Sequence, residues 1–194
     1  MLRIHNVFLP LLGMCMLLGS IPDTLATATT HHPTPINKRT AQEIITQLNL
    51  IPNVEGGYYI ESFRDTTNVT FTATNPTNTT SIVTTRSAST EIYYLLEGSV
   101  GYSRWHRVDA VEVWHYYAGA PLTLSLARDD GSPVREVTLG PDVFAGQRPQ
   151  VAIATWEWQR ARSCGEWTLV GTTVAPGFDP NGVELADPDW MPNA

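Results

Sequence analysis

The stretch SRWHRVDAVEVWHYYAG, residues 103 to 119, concentrates groups that can exchange protons. Its candidates are His106, Glu112 and His115, and the aromatic residues Trp114 and Tyr116 lie beside them. Imidazole and carboxyl groups serve as general acids and bases, and burial raises the pKa of a carboxyl toward useful values. The stretch therefore predicts either an acid–base pocket or an aromatic sheet in which Glu112 merely pairs with an arginine.

The residues from Val111 to Tyr117 have the β-branched and aromatic composition of a strand, in which side chains alternate between two faces. Glu112, Trp114 and Tyr116 then share one face, and His115 lies on the other unless a bulge turns it inward. We predict catalytic roles for Glu112 and His106. Ligand-binding roles are predicted for Trp114, His115 and Tyr116.

A second group of candidates lies in EGGYYIESFR, residues 55 to 64. Alternate residues of an early strand can reach a pocket, so Tyr58 and Glu61 are predicted to bind the ligand, with Glu55 and Arg64 as further candidates. Glu61 and Arg64 could instead form an ion pair across strands.

The elements that must position these residues are mostly strands. After Pro52 the chain consists of short β-type runs bounded by Gly, Pro and Asp, and Asp129-Asp130-Gly131 is typical of a hairpin turn. This pattern predicts an all-β sandwich or barrel. Thr40 and Glu43 form a capping box, which predicts one short helix over residues 41 to 48. The Thr-rich stretch 65 to 80 reads as a polar surface loop.

Composition limits the classes of function. The chain has 194 residues, 42% hydrophobic and 16% charged, which suits one domain, placed at residues 41 to 190. A formal net charge of -7 without a Lys/Arg cluster argues against nucleic-acid binding and against a polybasic membrane anchor.

The N-terminus predicts secretion. Residues 1 to 28 combine Arg3, an apolar run and an Ala26-Thr27-Ala28 cleavage pattern, as in a signal peptide, and residues 29 to 40 read as a flexible leader. After cleavage no membrane attachment is expected. Asn68 and Asn78 lie in glycosylation sequons.

Several of these stretches in order resemble the cupin-superfamily family sometimes called cupin type 5. The similarity covers roughly residues 41 to 187 and includes EGGYYIESFR, STEIYYLLEG, the stretch from residue 103, LGPDVFAGQRPQ and WTLVGTTVAPGFD. The resemblance implies an RmlC-like double-stranded β-helix, a jelly-roll barrel with a short N-terminal helix. It also implies a homodimer and a small-molecule pocket inside the barrel.

The resemblance also raises the question of a metal, because many cupins hold one through two His, one Glu and a later His. On this chain His106, Val108 and Glu112 fall on the first three positions and Gln159 on the last. We therefore expect no cofactor, with weak divalent-metal binding through His106, Glu112 and Gln159 as the alternative, and Gln159 as a pocket residue. Trp156 stands where the family usually has a turn glycine.

Three functions follow from these residues. The first is a metal-independent isomerase, epimerase or cyclase acting on a small, specialised metabolite, with Glu112 as acid or base and His106 as its partner. The second is a secreted, non-catalytic binder of a sugar or another small molecule. The third is a metal-dependent oxygenase.

Overall fold

The computed structural model describes residues 34 to 74, 79 and 81 to 193. The predicted signal peptide 1 to 28, the first part of the leader and the sequon residue Asn78 lie outside these residues. Within them, no helix is both long enough and apolar enough to cross a membrane.

The described part of the chain consists of strands, one α-helix and short 3-10 turns. The helix and strands are α1 Ala41–Leu48, β1 Ile51–Pro52, β2 Tyr58–Arg64, β3 Asn68–Thr74, β4 Ser81–Ser87, β5 Thr90–Glu97, β6 His106–Val108, β7 Val111–Gly119, β8 Leu122–Ala127, β9 Arg135–Leu139, β10 Gln150–Ile153, β11 Trp158–Ser163, β12 Trp167–Ala175 and β13 Val183–Leu185. The 3-10 turns are Ile36–Lys38, Gly98–Val100, Val143–Ala145 and Pro180–Gly182.

Two antiparallel sheets form the barrel. One has the order β1-β2-β5-β12-β7-β10 and the other the order β13-β6-β11-β8-β9. Both contribute inward side chains to one apolar cluster: Tyr94, Leu96, Trp114 and Val170 come from the first sheet, and Leu122, Leu124, Leu126, Leu139 and Ala161 from the second. The predicted all-β barrel is confirmed.

Inward side chains fill only part of the barrel. Along β5, Leu96 belongs to the apolar cluster, Tyr94 and Ile92 contact both this cluster and a cavity, and Thr90 lines the cavity. On β7, Trp114 belongs to both and Glu112 lines the cavity. Because inward residues recur every second position, the inward side chains of β5 and of β7 lead from the packed core to the open pocket.

The N-terminal helix covers the outer face of the larger sheet. Its capping box is formed as predicted, with the Thr40 side chain accepting from Glu43 N, and Ile44 and Ile45 pack against Trp167 and Leu169. The 3-10 turn before it belongs to this cover, since Asn37 Oδ1 accepts a hydrogen bond from Gly119 N at 2.9 Å. Residues 36 to 40, predicted as the end of a flexible leader, thus lie against the barrel.

The described residues 68 to 74 of the Thr-rich stretch, predicted to be a loop, form strand β3. This strand pairs with β4, which follows the stretch, in a two-stranded antiparallel sheet. Threonine is β-branched, and its polar hydroxyl does not oppose strand formation. Asn68, exposed at the start of β3, pairs with Ser87. The sheet is fixed by Arg86, whose buried guanidinium lies 2.9 Å from an Asp109 carboxylate oxygen.

The hairpin turn predicted at Asp129-Asp130-Gly131 is confirmed. Strands β8 and β9 pair antiparallel from Leu122↔Leu139 to Leu126↔Arg135. Between them Asp129 and Gly131 have φ of 57° and 87°. Such left-handed conformations are tolerated best by Gly, Asn and Asp.

Candidate functional site

The cavity within the barrel has a volume of about 600 Å³. Its floor is formed by Tyr94 and Trp114, whose rings meet edge to face with centroids 5.8 Å apart. The Tyr94 hydroxyl donates to Gly56 O at 2.9 Å, which ties the floor to the turn before β2. The walls are mostly apolar and include Ile51, Val54, Ile92, Val108, Val174 and Phe178.

Glu112, two residues before Trp114 on β7, lines the same cavity. Its side chain is buried, and its Oε2 accepts a hydrogen bond from Gln159 Nε2 at 2.5 Å. Burial raises the pKa of the Glu112 carboxyl, and the nearby His106 and the bonds from Gln159 and Thr172 oppose that rise. The partner of this carboxyl is therefore an amide. It is not an arginine, as the aromatic-sheet alternative predicted.

The direction of the hydrogen bonds behind Glu112 is fixed. An indole nitrogen can only donate, and Trp114 Nε1 donates to Gln159 Oε1 at 2.9 Å. The amide of Gln159 must then present its NH₂ to Glu112, so Oε2 is the acceptor in this bond. Because the carbonyl oxygen of a protonated carboxyl is its better acceptor, this bond favours Oε1 as the site of the proton when Glu112 is protonated.

His106 supplies the second ionisable group of the cavity. Its buried ring is fixed by Nδ1, which donates to Arg104 O at 3.1 Å. The other nitrogen, Nε2, lies 3.6 Å from Glu55 Oε2. In the neutral ring this arrangement leaves the lone pair on Nε2, as proton acceptance requires.

Glu55 and His106 come together through the turn before β2. The backbone of Glu55 is bound on both sides, because its N–H donates to Asn53 Oδ1 at 3.2 Å and its carbonyl accepts from Arg104 N at 2.8 Å. Arg104 therefore connects both residues through its own backbone.

Glu61 and Arg64 lie at the cavity mouth as an ion pair. Arg64 Nε and Nη2 donate to the two oxygens of Glu61 at 2.9 and 2.6 Å. Residues three apart on a regular strand face opposite ways, but the register of β2 shifts between Glu61 and Phe63. The bulge turns Arg64 to the side of Glu61, so the pair lies within β2 and not across strands.

The cavity does not include all the predicted residues. His115 lies on the outer face of β7, with Nε2 3.2 Å from Thr173 Oγ1. Tyr116 packs against the apolar cluster, and its hydroxyl donates to Gly119 O at 2.6 Å. Tyr58 packs in the cluster under α1. Gln159 lies behind Glu112. Of the predicted ligand-binding residues, Glu61 and Trp114 line the cavity.

Sequence reasoning missed other lining residues. Tyr59 lines the cavity in place of its neighbour Tyr58, because a strand has period two and the bulge lies after Glu61. Thr172 on β12 and Phe178 in the segment after β12 also line the cavity. The period of β2, read backward from Glu61, would have favoured Tyr59.

The side chains at the positions of the cupin metal ligands do not fit a metal ion. Both polar atoms of the Gln159 amide are engaged, one by Trp114 and one by Glu112, and Val108 brings an aliphatic wall where a ligand would be needed. No cluster of three His, Cys, Asp or Glu side chains suited to a metal occurs among the described residues. Catalytic metals usually have three such protein ligands.

Comparisons with known proteins agree with this barrel. The family model Cupin_5, described as Cupin superfamily (DUF985), matches residues 42–186. A search of curated proteins finds no match. A solved hypothetical protein from Leishmania major is 29% identical with a TM-score of 0.64, covering 75% of this chain and 86% of its own.

A second solved protein, from Shewanella oneidensis, is 32% identical with a TM-score of 0.64, and the match covers 77% of this chain and 85% of its own. The residues matched by the family model, 42–186, include the strands that carry the cavity. With its RmlC-like jelly roll, the chain belongs to the cupin superfamily, in the family Cupin_5 (DUF985).

Proposed function

We propose that the protein is a metal-independent acid–base enzyme of the isomerase, epimerase or cyclase type, acting on a small molecule in the barrel cavity. The observation that carries the proposal is Glu112, a buried carboxyl with a raised pKa that faces the cavity near His106. Such a carboxyl can remain protonated at a pH at which an exposed one is ionised.

The two groups have complementary roles. Protonated Glu112 donates from Oε1 to a carbonyl oxygen of the substrate, while Nε2 of neutral His106 accepts a proton from the adjacent carbon. The C–H electron pair forms the C=C bond of an enol, and the carbonyl π pair takes the proton of Glu112. Return of a proton to the same carbon from the opposite face of the enol, with the enol O–H proton going back to Glu112, completes an epimerisation. Return of a proton to the former carbonyl carbon, with loss of the hydroxyl proton on the neighbouring carbon to Glu112, completes an isomerisation.

The surroundings support this assignment. The Nδ1–H bond to Arg104 O holds the imidazole in place, and Gln159 does the same for the carboxyl. Such preorganisation is what general acid–base catalysis requires. The largely apolar walls limit the access of competing water.

The test is proton exchange in D₂O with hydroxyacetone, dihydroxyacetone and glyceraldehyde as probes, followed by NMR. We expect exchange next to the carbonyl above the buffer rate, and a loss of about 10²- to 10⁴-fold in Glu112→Gln. This substitution keeps the shape of the side chain but removes the transferable proton.

His115→Gln is the matched control, because its imidazole lies on the outer face of the same strand. It is expected to keep the wild-type rate. An exchange rate equal to that of buffer with every probe, or full activity in Glu112→Gln, would contradict the proposal.

A second candidate is a non-catalytic binder. It is favoured by the aromatic share of the lining, since Tyr59, Trp114 and Phe178 can stack on a flat ligand. If the protein is a binder, the ligand raises the melting temperature of the protein, and the exchange assay shows no proton transfer.

We further propose that the mature protein is a secreted homodimer. Residues 1 to 28 support secretion through their signal-peptide pattern, and family membership supports the dimer. Mass spectrometry of protein secreted by a eukaryotic host would report signal cleavage, oligomeric state and any glycan on Asn68 or Asn78 together.

A further inference from the structure

We propose that this pocket accepts uncharged or cationic ligands with an apolar body and hydrogen-bond donors, and rejects phosphates and carboxylates. The inference rests on the proposed function in that it concerns the same cavity. It does not depend on catalysis by Glu112.

The charges of the lining carry this inference. Among the described residues that line the cavity, the carboxyl groups are Glu55, Glu61 and Glu112, and the permanent cation is Arg64. Even with Glu112 protonated, two carboxylates face one guanidinium. A bound anion would therefore meet a neutral or negative surface in a partly desolvated space.

Arg64 is also already engaged. Both of its bonds to Glu61 are charge-assisted, and Arg64 Nη1 donates to Phe178 O at 3.4 Å. Asp179 lies near enough to add to the negative potential around this guanidinium. An incoming carboxylate would have to displace Glu61 from a bidentate pair, which is the strong form of such bonds.

Two of the remaining polar groups, the Glu55 carboxylate and Nε2 of the neutral His106 ring, accept hydrogen bonds. Glu55 offers a carboxylate 3.6 Å from His106 Nε2, and its side chain is 20% exposed. A hydroxyl or ammonium group of the ligand would satisfy this carboxylate. The apolar and aromatic walls, in a cavity of about 600 Å³, suit a ring of modest size.

The experiment compares benzylamine, benzyl alcohol, benzoate and phenyl phosphate, which share one ring and differ in the charge of the substituent. Binding is measured by thermal shift and ligand-observed NMR up to about 10 mM, a range suited to fragments. We expect benzylamine and benzyl alcohol to bind, and benzoate and phenyl phosphate to bind about tenfold more weakly or not at all.

The variant Glu61→Gln tests more directly whether the Glu61–Arg64 pair excludes anions. It releases Arg64 from its carboxylate partner, so benzoate affinity is expected to rise at least about threefold while benzylamine affinity falls. Glu184→Gln is the matched control, because it removes the same charge from the pair with Arg107 outside the cavity lining. It is expected to leave the order of the probes unchanged.

The proposal is overturned if benzoate or phenyl phosphate binds wild-type protein as tightly as benzylamine. It is also overturned if no probe binds, or if Glu61→Gln leaves benzoate affinity unchanged. These outcomes concern binding, whereas failure of the proposed function would appear as absent proton exchange with the order of the probes intact.

Discussion

The inner and outer faces of strands β6 and β11 differ in how they use polar side chains. Inside the barrel, His106 and Gln159 are cross-strand partners, and both are held by directional hydrogen bonds. Outside it, the arginines alternate with aromatic rings. The two faces are one residue apart along each strand, so the difference arises from what each face packs against.

The outer face is stabilised by stacking. The Arg107 guanidinium carbon lies 4.5 Å from the ring centroid of Trp158, and that of Arg160 lies 4.7 Å from the ring of Trp105. Trp190, near the C-terminus, packs on both tryptophans, with centroids 4.3 Å from Trp158 and 6.1 Å from Trp105.

The indole groups show the contrast most directly. Trp114 Nε1 inside the barrel donates to Gln159, whereas the buried Nε1 atoms of Trp105 and Trp158 have no hydrogen-bond partner among the described residues. Trp156 extends the outer stack, 5.5 Å from Arg107, despite a φ of 60° that favours glycine. The inner face fixes the direction of its bonds, and the outer face mainly buries ring surface.

Gln159→Leu is expected to have the largest effect on stability. It leaves the Trp114 N–H and the Glu112 carboxyl without their buried partner, which costs about 2–4 kcal/mol of unfolding free energy. Urea denaturation measures the loss. The shape-matched Gln159→Glu keeps an acceptor for Trp114 but places a second carboxyl against Glu112, so it should lose less than Gln159→Leu only at low pH, where the two carboxyls can share a proton. Equal stability of Gln159→Leu and wild type would show that the bonds do not matter.

A pH dependence isolates Glu112 on the inner face. In the folded protein, burial raises the pKa of the Glu112 carboxyl above the ordinary 4.5. The charge of Glu55 adds to this rise, and that of His106 opposes it. The unfolded chain therefore ionises first as pH rises. The stabilising contribution is full below the unfolded pKa and is lost as pH rises through the folded pKa.

The unfolding free energy of wild type relative to Glu112→Gln should thus fall as pH rises through this window. The expected fall is about 1.4 kcal/mol for each unit by which folding raises the pKa. Denaturation of both proteins across this pH range tests it. A difference that stays constant, or grows with pH, would contradict the raised pKa.

Arg160→Ala should have the smallest effect. It removes a guanidinium stacked 3.9 Å from the Tyr102 ring centroid and 4.7 Å from that of Trp105, at a cost of about 1 kcal/mol. Binding of benzylamine should not change, because the side chain faces away from the cavity. Arg160→Lys serves as the control that keeps the charge. A change in probe binding would show that the two faces are coupled.

Local patterns in the sequence were enough for several features. The capping box from Thr40 to Glu43, the turn at Asp129 to Gly131 and the shared face of Glu112 and Trp114 each depend on residues close together in the chain. Their physics is that of neighbouring dihedral angles and of the two-residue period of a strand. The all-β barrel followed from the repetition of such runs.

The tertiary structure alone decided the partners. Gln159 is 47 residues from Glu112, and their bond joins the two sheets. The bulge after Glu61 decided that Tyr59, and not Tyr58, lines the cavity. Threonine content left the pairing of β3 with β4 undetermined, because strand formation depends on a partner strand. Residue types thus determined which groups are available, and contacts between distant strands determined which of them meet.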